Sequence, residues 1–486
     1  MNMEMLCLLA IVLPILVGCV IPFTSLGRND KSRQGLLLVT FIVNVILVVL
    51  CCFQSGNFTV FEISKNLSMT FMLDGMGKFF ALLVGVMWFL VGVYGFEYMT
   101  HEDNRPRFYA FYMTTLGALN GICFAGNYMT LYCFFELMTL LSMPMVLHNQ
   151  SKEAISAAKT YLLYSIFGAS LGLAGFFFLS HYGTTTAFVA GGVLDMSKVA
   201  GNESLLLVIA FLTIVGFGAK AGMMPLHAWL PIAHPVAPAC ASSVLSGVIT
   251  KAGVLAIIRV VFYQFGASFI AGTWVQIAWI ILALTTVLTG SMLAYKEKVL
   301  KKRLAYSTVS QVSYILFGLA CLNPISLVGS LLHVVAHSLI KNVLFMSAGS
   351  MIMHSHVYKT TELDGIGSKM PKTLGCFTVA SLGLIGIPPL LGFVSKWYLA
   401  SGSLSSLDNA LSWIGPAILL ASALLTAGYL FSITISAFFV KKEFHGKEAG
   451  MFMIVPMAIA CVLIFACGLF PQQLTSFINT IIQGLF

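Results

Sequence analysis

Apolar residues run along this 486-residue chain in long blocks from one end to the other, broken by short polar or Gly/Pro-bearing segments. A helix that crosses a bilayer needs roughly 20 predominantly apolar residues. Block length and punctuation therefore predict about 14 spans, over 3–23, 33–54, 74–95, 108–126, 128–147, 155–180, 204–231, 237–263, 272–294, 303–322, 325–352, 374–401, 409–440 and 450–470. Only Gly126-Asn127 separates the fourth from the fifth. The fold class is all-α and polytopic, with no room for a sizeable soluble domain.

Composition narrows the picture. Charged residues make up 9% of the chain and hydrophobic ones 59%, whereas an ordinary soluble domain is about 25% charged. A water-soluble enzyme is thereby excluded. The net charge is +9, but no Lys/Arg-rich soluble face exists to bind nucleic acid. Eleven cysteines are scattered singly apart from Cys51-Cys52, and no CxxC occurs, so nothing points to an iron–sulfur or zinc site. The first apolar block lacks a basic leader and a small-residue cleavage site, which predicts a retained helix.

Charge sets orientation. Arg28, Lys31, Arg33, Arg105, Arg107, Lys152, Lys296, Lys298, Lys301, Lys302, Arg303, Lys359, Lys369, Lys372, Lys441, Lys442 and Lys447 all fall in one set of alternate loops; the other set holds only Lys65 and Lys198. Basic loops stay in the cytoplasm, so both termini are expected outside. The remaining basic residues, Lys78, Lys159, Lys220, Lys251, Arg259, Lys341 and Lys396, fall within or at the ends of spans. One such charge costs about 2.5–3.5 kcal/mol at a helix centre. Lys78 and Arg259 lie near enough to span ends to snorkel, whereas Lys220, Lys251, Lys341 and Lys396 lie deeper.

These deep cations keep notable company. The seventh span reads GFGAKAGMMPLHAWLP, with Pro225 and Pro231 around His227; the twelfth reads GLIGIPPLLGFVSKWYLA, with Pro388-Pro389 between Gly386 and Gly392. Proline frees backbone carbonyls, which membranes tolerate where they line a cavity or are buried in protein. Paired broken helices point to an ion site and to inverted repeats; ordinary proline kinks are the alternative. Glu136 sits mid-span, with Lys220, Lys251 or Lys159 as its expected partner, in a functional or a purely structural ion pair. His333, His337 and Lys341 recur every four residues on one helix face, which suits a proton relay. A metal site is not indicated, because no third ligand is evident. GFGAKA matches G-x-G-x-x-A, but without a preceding strand the dinucleotide reading fails.

Taken together, FFELMTLLSMP, KAGMMPLHAWLPIAHPVAPACASSVLSGVITKAG, HVVAHSLIKNVLF and GIPPLLGFVSKW carry a resemblance. The chain resembles the antiporter-like subunits of respiratory complex I, of multisubunit Mrp sodium/proton antiporters and of group 4 nickel–iron hydrogenases. That resemblance implies 14 helices, with N-terminal helices in 1–107, two inverted five-helix repeats in 108–263 and 264–440, and a last helix in 441–486. Helices 7 and 12 would be the broken ones. It implies a proton pathway of Glu136, Lys220, Lys251, His333, His337, Lys341 and Lys396, with Glu136 paired to Lys220, and with Lys159 and His227 as accessory groups. Ile232, where many complex I members carry an acid after WLP, looks more like the hydrogenase branch.

The expected function is proton translocation in the inner membrane by a subunit of a redox-driven complex. Its partners would be other membrane subunits and a peripheral redox arm. No cofactor is expected in this chain, since redox cofactors would sit in those partners. The cargo is H+, with Na+ as the second candidate. A Mrp-type antiporter subunit without a redox partner, and a structural scaffold, are the alternatives. The topology is testable by reporter fusions: tags at Phe486 and within 55–70 should report the outside, and one between Lys441 and Lys447 the cytoplasm. A cytoplasmic tag at Phe486 would overturn the 14-span orientation.

Overall fold

A computed structural model describes residues 2–64, 67–406, 411–442, 444 and 446–486. Lys65, assigned to the sparsely basic loops, lies outside them. Among the described residues, 11 helices are long and apolar enough to cross a membrane. Three further predicted spans also hold helices. Arg105–Cys123 and Leu300–Ala320 fill two of them, and the third is divided into Pro371–Ile385 and Leu391–Leu404.

Burial separates centre from rim. The most apolar window of Ala239–Phe265 is 100% buried and that of Pro324–Ser355 is 94% buried, against 39% for the first two helices. A helix apolar on all sides belongs in the middle of a bundle; rim helices such as Met3–Val20 and Asp30–Cys52 turn apolar residues outward, as a lipid-facing surface requires.

One element departs from the all-helical expectation. Gly56–Ser64 and Leu67–Leu73 pair as an antiparallel hairpin, with Gly56 opposite Leu73 and Phe58 opposite Phe71. The hairpin also explains the tight Gly126-Asn127 boundary. Met72 N–H donates to the Phe124 carbonyl at 2.8 Å and Gly126 N–H to the Thr70 carbonyl at 2.8 Å. Backbone groups spent on the strand cannot continue a helix. Asn127 then restarts it, its side chain accepting from Thr130 N–H at 2.9 Å.

The seventh predicted span is likewise divided. The Glu203–Ala221 helix stops at Gly222, left-handed at φ 83°. A non-helical segment follows, and Trp229–Val236 resumes. Gly386, at φ 94°, ends Pro371–Ile385 in the same way. Glycine takes this conformation without the cost a side chain would add, so each break is written into one residue. Ala239–Val244 runs into a π-helical turn at Leu245–Ile249 before Thr250–Val260; such turns cluster at functional sites.

Arg259 does not snorkel. It is wholly buried, and its Nη1 and Nη2 grip the Asp74 carboxylate at 2.6 and 2.7 Å. Its guanidinium lies 4.7 Å from the Tyr263 ring centroid and 5.2 Å from that of Phe188. Asp74 in turn caps the Gly75–Tyr98 helix by accepting from Gly77 N–H. Breaking a buried pair by removing one partner costs about 3–5 kcal/mol. Asp74→Ala should therefore markedly lower the temperature at which the chain leaves its assembled state, followed by native electrophoresis after heating. The apolar double variant Asp74→Leu/Arg259→Met should recover part of that loss. Unchanged heat resistance in Asp74→Ala would show that the pair is not structural.

Candidate functional site

The deep lysines are solvated by neutral groups. Lys220, in the last turn before the first break, is buried. Its Nζ donates to the hydroxyls of Tyr161 at 2.7 Å, Thr139 at 2.8 Å and Ser165 at 3.2 Å, and lies 4.3 Å from the Tyr161 ring centroid. Tyr161 is itself held by Ser142 at 2.6 Å. Trp229, opening the segment after the break, lies 6.0 Å from the ammonium and donates Nε1–H to the Ala219 carbonyl. The break thus folds back to wall off the lysine.

Glu136 stands apart from this cradle. It is half-buried, and its contact is the Tyr132 hydroxyl at 3.4 Å. It shares a helix with Thr139, and its charge acts on Lys220. No Glu136–Lys220 ion pair within 4 Å occurs among the described residues, because Lys220 is turned toward the hydroxyls. Lys159 is exposed on the Lys152–Tyr182 helix and is not gathered in. His227 sits half-buried in the non-helical segment, its Nδ1 without a hydrogen-bond partner among the described residues.

Lys251 follows the π-helical turn. Its Nζ donates to the Ser246 carbonyl at 2.8 Å, five residues back, and lies 2.5 Å from His337 Nδ1. His337 and His333 follow each other along Pro324–Ser355 with ring centroids 6.2 Å apart. His333 Nδ1 meets the Ser395 hydroxyl at 2.9 Å, and its ring stacks on Tyr314 at 5.5 Å. Among the described residues, the Nε2 atoms of both histidines have no hydrogen-bond partner. Lys396, just past the second break, lies 5.0 Å from the same Tyr314 ring centroid. Its Nζ donates to the Leu384 and Ile385 carbonyls at 2.6 and 2.9 Å. Those are the free carbonyls at the end of Pro371–Ile385, where the helix dipole favours a cation. Lys341 branches from this line, donating to the Ser307 hydroxyl and to the Leu304 carbonyl at 3.0 Å.

From Lys251 to Lys396, then, one line of amines and imidazoles, buried except for the half-buried Lys396, crosses from the Thr250–Val260 helix to the second broken helix. Ser395 and Tyr314 complete it, while Thr139, Tyr161 and Ser165 form the separate cradle of Lys220. Sequence reasoning misses these five, since hydroxyl side chains are common in every span.

The comparisons with known proteins follow the same lines. The family described as "NADH:quinone oxidoreductase/Mrp antiporter, TM" matches residues 125–415, more than half of the chain. The chain belongs to this family. Residues 61–109 also match "NADH-Ubiquinone oxidoreductase (complex I), chain 5 N-terminus". The chain is 32% identical over 428 residues to an NADH-quinone oxidoreductase subunit of Desulforudis audaxviator, covering 83% of this chain and 82% of that one. It is 27% identical to a Na(+)/H(+) antiporter subunit of Alkalihalophilus pseudofirmus, covering 96% and 93%. Its fold is similar to a chain of the Mrp complex from Dietzia sp. DQ12-45-1b, with a TM-score of 0.87 at 20% identity over 100% of this chain and 98% of that one. As a member of this family it is a multi-pass, antiporter-like membrane subunit.

The helix carrying Lys251 packs on the helix carrying Lys220 at Gly253. A Cβ there would stand 2.7 Å from the Phe217 carbonyl oxygen, 2.8 Å from Ala221 N and 3.1 Å from the Lys220 Cβ. Glycine lets the helix carrying Lys251 lie directly on the helix carrying Lys220. Gly253→Ala should force them apart while leaving both lysines in place. If the two lysines work together, ion transport by the assembled protein should fall about tenfold, about 1.4 kcal/mol in barrier. Wild-type transport in an assembled Gly253→Ala protein would show that this contact is dispensable.

Proposed function

We propose that this chain moves protons across the inner membrane as the antiporter-like subunit of a multisubunit cation/proton antiporter of the Mrp type, with Na+ as the candidate counter-ion. The observation that carries the transport reading is the run of neutrally solvated titratable groups from the buried Lys251 through His337 and His333 to the half-buried Lys396. Family membership, the near full-length match to a Na(+)/H(+) antiporter subunit and the similarity to an Mrp-complex chain support the antiporter assignment. A second reading, a redox-driven proton subunit beside a peripheral redox arm, is favoured by the 32% identity to an NADH-quinone oxidoreductase subunit. The two differ in what drives protonation; the relay is common to both. In the second, redox cofactors belong to the partners.

We further propose 14 crossings with both termini outside. The repeats are 108–263 and 264–440, flanked by 1–107 and 441–486, each with one helix broken at a left-handed glycine beside a lysine. Glu136 and Lys220 form the switch of the first repeat. With Lys220 on its hydroxyls, Glu136 is free to exchange a proton; when Lys220 swings toward it, the carboxylate is held charged. Lys251, His337 and His333 relay protons between the repeats, and Lys396 is the terminal carrier. A potential of 100 mV is worth about 2.3 kcal/mol per charge moved, which is the scale on which moving a proton along the line is driven or opposed.

Substitution tests both carriers. Lys396→Arg keeps the charge, but guanidinium does not deprotonate in proteins. Lys396→Arg and Lys396→Ala should transport equally poorly, with Arg assembling at least as well, and Glu136→Gln should be severely impaired although assembled. Vesicles with the purified complex report transport, and the subunits that co-purify separate the antiporter from the redox-driven reading. Full transport by an assembled Lys396→Arg protein would refute Lys396 as a proton carrier.

A further inference from the structure

The side branch of the relay at Lys341 leads toward the Lys/Arg-rich end of the bundle. Lys341 Nζ donates to the Leu304 carbonyl in the first turn of Leu300–Ala320, and Lys301 sits three residues earlier in that turn. Lys301 is buried, 6% exposed, and donates to the Ala237 carbonyl at 2.8 Å. Ala237 caps the Trp229–Val236 helix, whose last turn carries His234.

His234 is fully buried, and neither of its ring nitrogens has a hydrogen-bond partner among the described residues. It stacks on Phe345 at 4.7 Å, one turn from Lys341 on the same helix. The charges of both Lys341 and Lys301 act on it. Lys301 in turn feels the charge of Glu102, a half-buried carboxylate in the loop after Gly75–Tyr98. At the inner end, the charge of Lys341 acts on Lys251. Four titratable groups therefore descend from the Lys/Arg-rich face to the relay, in the order Glu102, Lys301, His234 and Lys341.

A purely structural histidine at zero exposure would satisfy at least one ring nitrogen, because a buried polar group left unpaired costs about 1–3 kcal/mol. Both nitrogens of His234 are instead left open between two lysines. Gln311, on the Leu300–Ala320 helix, and Asn342, beside Lys341 on its own helix, are buried with both side-chain polar atoms unpartnered among the described residues as well. These side chains put unspent donors and acceptors beside His234 and Lys341.

We propose that Glu102, Lys301 and His234 form the branch by which protons from the Lys/Arg-rich face reach Lys341 and the buried relay. The inference rests on the transport reading above. Glu102 takes a proton from water at the surface. Burial pushes its carboxyl up from the ordinary range, against the opposing pull of Lys301, so it holds a proton more readily than an open surface glutamate. The carboxyl passes the proton to the neutral amine of Lys301. The resulting ammonium gives a proton to one ring nitrogen of His234, and the other ring nitrogen releases one toward the neutral amine of Lys341. Glu102 is left as the carboxylate and Lys301 as the neutral amine, ready for the next proton, and a flip of the His234 ring restores its starting tautomer; the transferred positive charge now resides on Lys341.

The test uses the intact complex in inverted membrane vesicles, with the Lys/Arg-rich face outward, and compares His234→Ala, His234→Phe, Glu102→Gln and Lys396→Arg. His234→Ala should assemble and lose about tenfold or more in initial proton-transport rate, within the usual range for removing a proton-transfer group. Imidazole added outside should restore several-fold of that rate, which no structural role for His234 would produce. His234→Phe keeps the stacking surface and should be slow and not rescued; Glu102→Gln should be slowed in the same sense. If Lys396→Arg is inactive while His234→Ala and Glu102→Gln transport normally, the branch is overturned and the relay stands. If Lys396→Arg transports normally, the relay itself has failed. Should His234→Ala not assemble, the assembled His234→Phe and Glu102→Gln proteins decide, and wild-type rates in both overturn the branch.

Discussion

Everything in this protein depends on how a lysine ammonium is kept inside a membrane without being tied to a carboxylate. The bilayer offers no water, and an unsolvated charge there costs several kcal/mol. An ion pair would be the direct remedy, but it would also fix the proton. The chain takes a third course and surrounds each deep lysine with neutral acceptors. Lys220 has three hydroxyls, Lys251 a carbonyl and an imidazole, Lys341 a hydroxyl and a carbonyl, and Lys396 two carbonyls.

Most of those carbonyls exist because a helix has been interrupted. A regular helix spends each carbonyl on the N–H four residues ahead, leaving only the last four free. The second break places such a free end at Leu384 and Ile385, in reach of Lys396. The π-helical turn at Leu245–Ile249 shifts the pairing and leaves Ser246 to receive Lys251. The first break works differently. Lys220 precedes it, and the returning segment contributes the Trp229 wall in place of carbonyls. Symmetry of sequence pattern therefore hides a difference in chemistry between the two halves.

Much of this was legible in the sequence, and the reason is the cost of buried charge. Span positions followed from apolar length, and the deep lysines stood out because few polar residues survive at such depth. What stayed hidden is what length and depth do not encode. Depth does not give a helix face, so Lys159, offered as a partner for Glu136, is instead exposed. Proximity in pattern does not give a side-chain rotamer, so the expected Glu136–Lys220 contact is replaced by hydroxyl contacts. The hairpin at 56–73 escaped because a short loop between spans carries little signal, and it is tied down by helix-end backbone groups far along the chain. Arg259 looked like a snorkelling residue because its partner Asp74 lies 185 positions away.

The contrast between Lys251 and Arg259 shows how finely this division is drawn. Both stand on the Thr250–Val260 helix, about two turns apart, and both are buried. Arg259 is bidentate to a carboxylate that also caps a second helix, so its charge is permanent and it fastens elements together. Lys251 meets a carbonyl and an imidazole, neither of which demands that it stay charged. Guanidinium suits the first task because it cannot release its proton, and an amine suits the second because it can. Exchanging the two residue types would satisfy the same count of buried cations and defeat both roles. The identity of each cation, together with the charge of its acceptor, is thus what separates the part of this helix that fastens two elements together from the part proposed to carry protons.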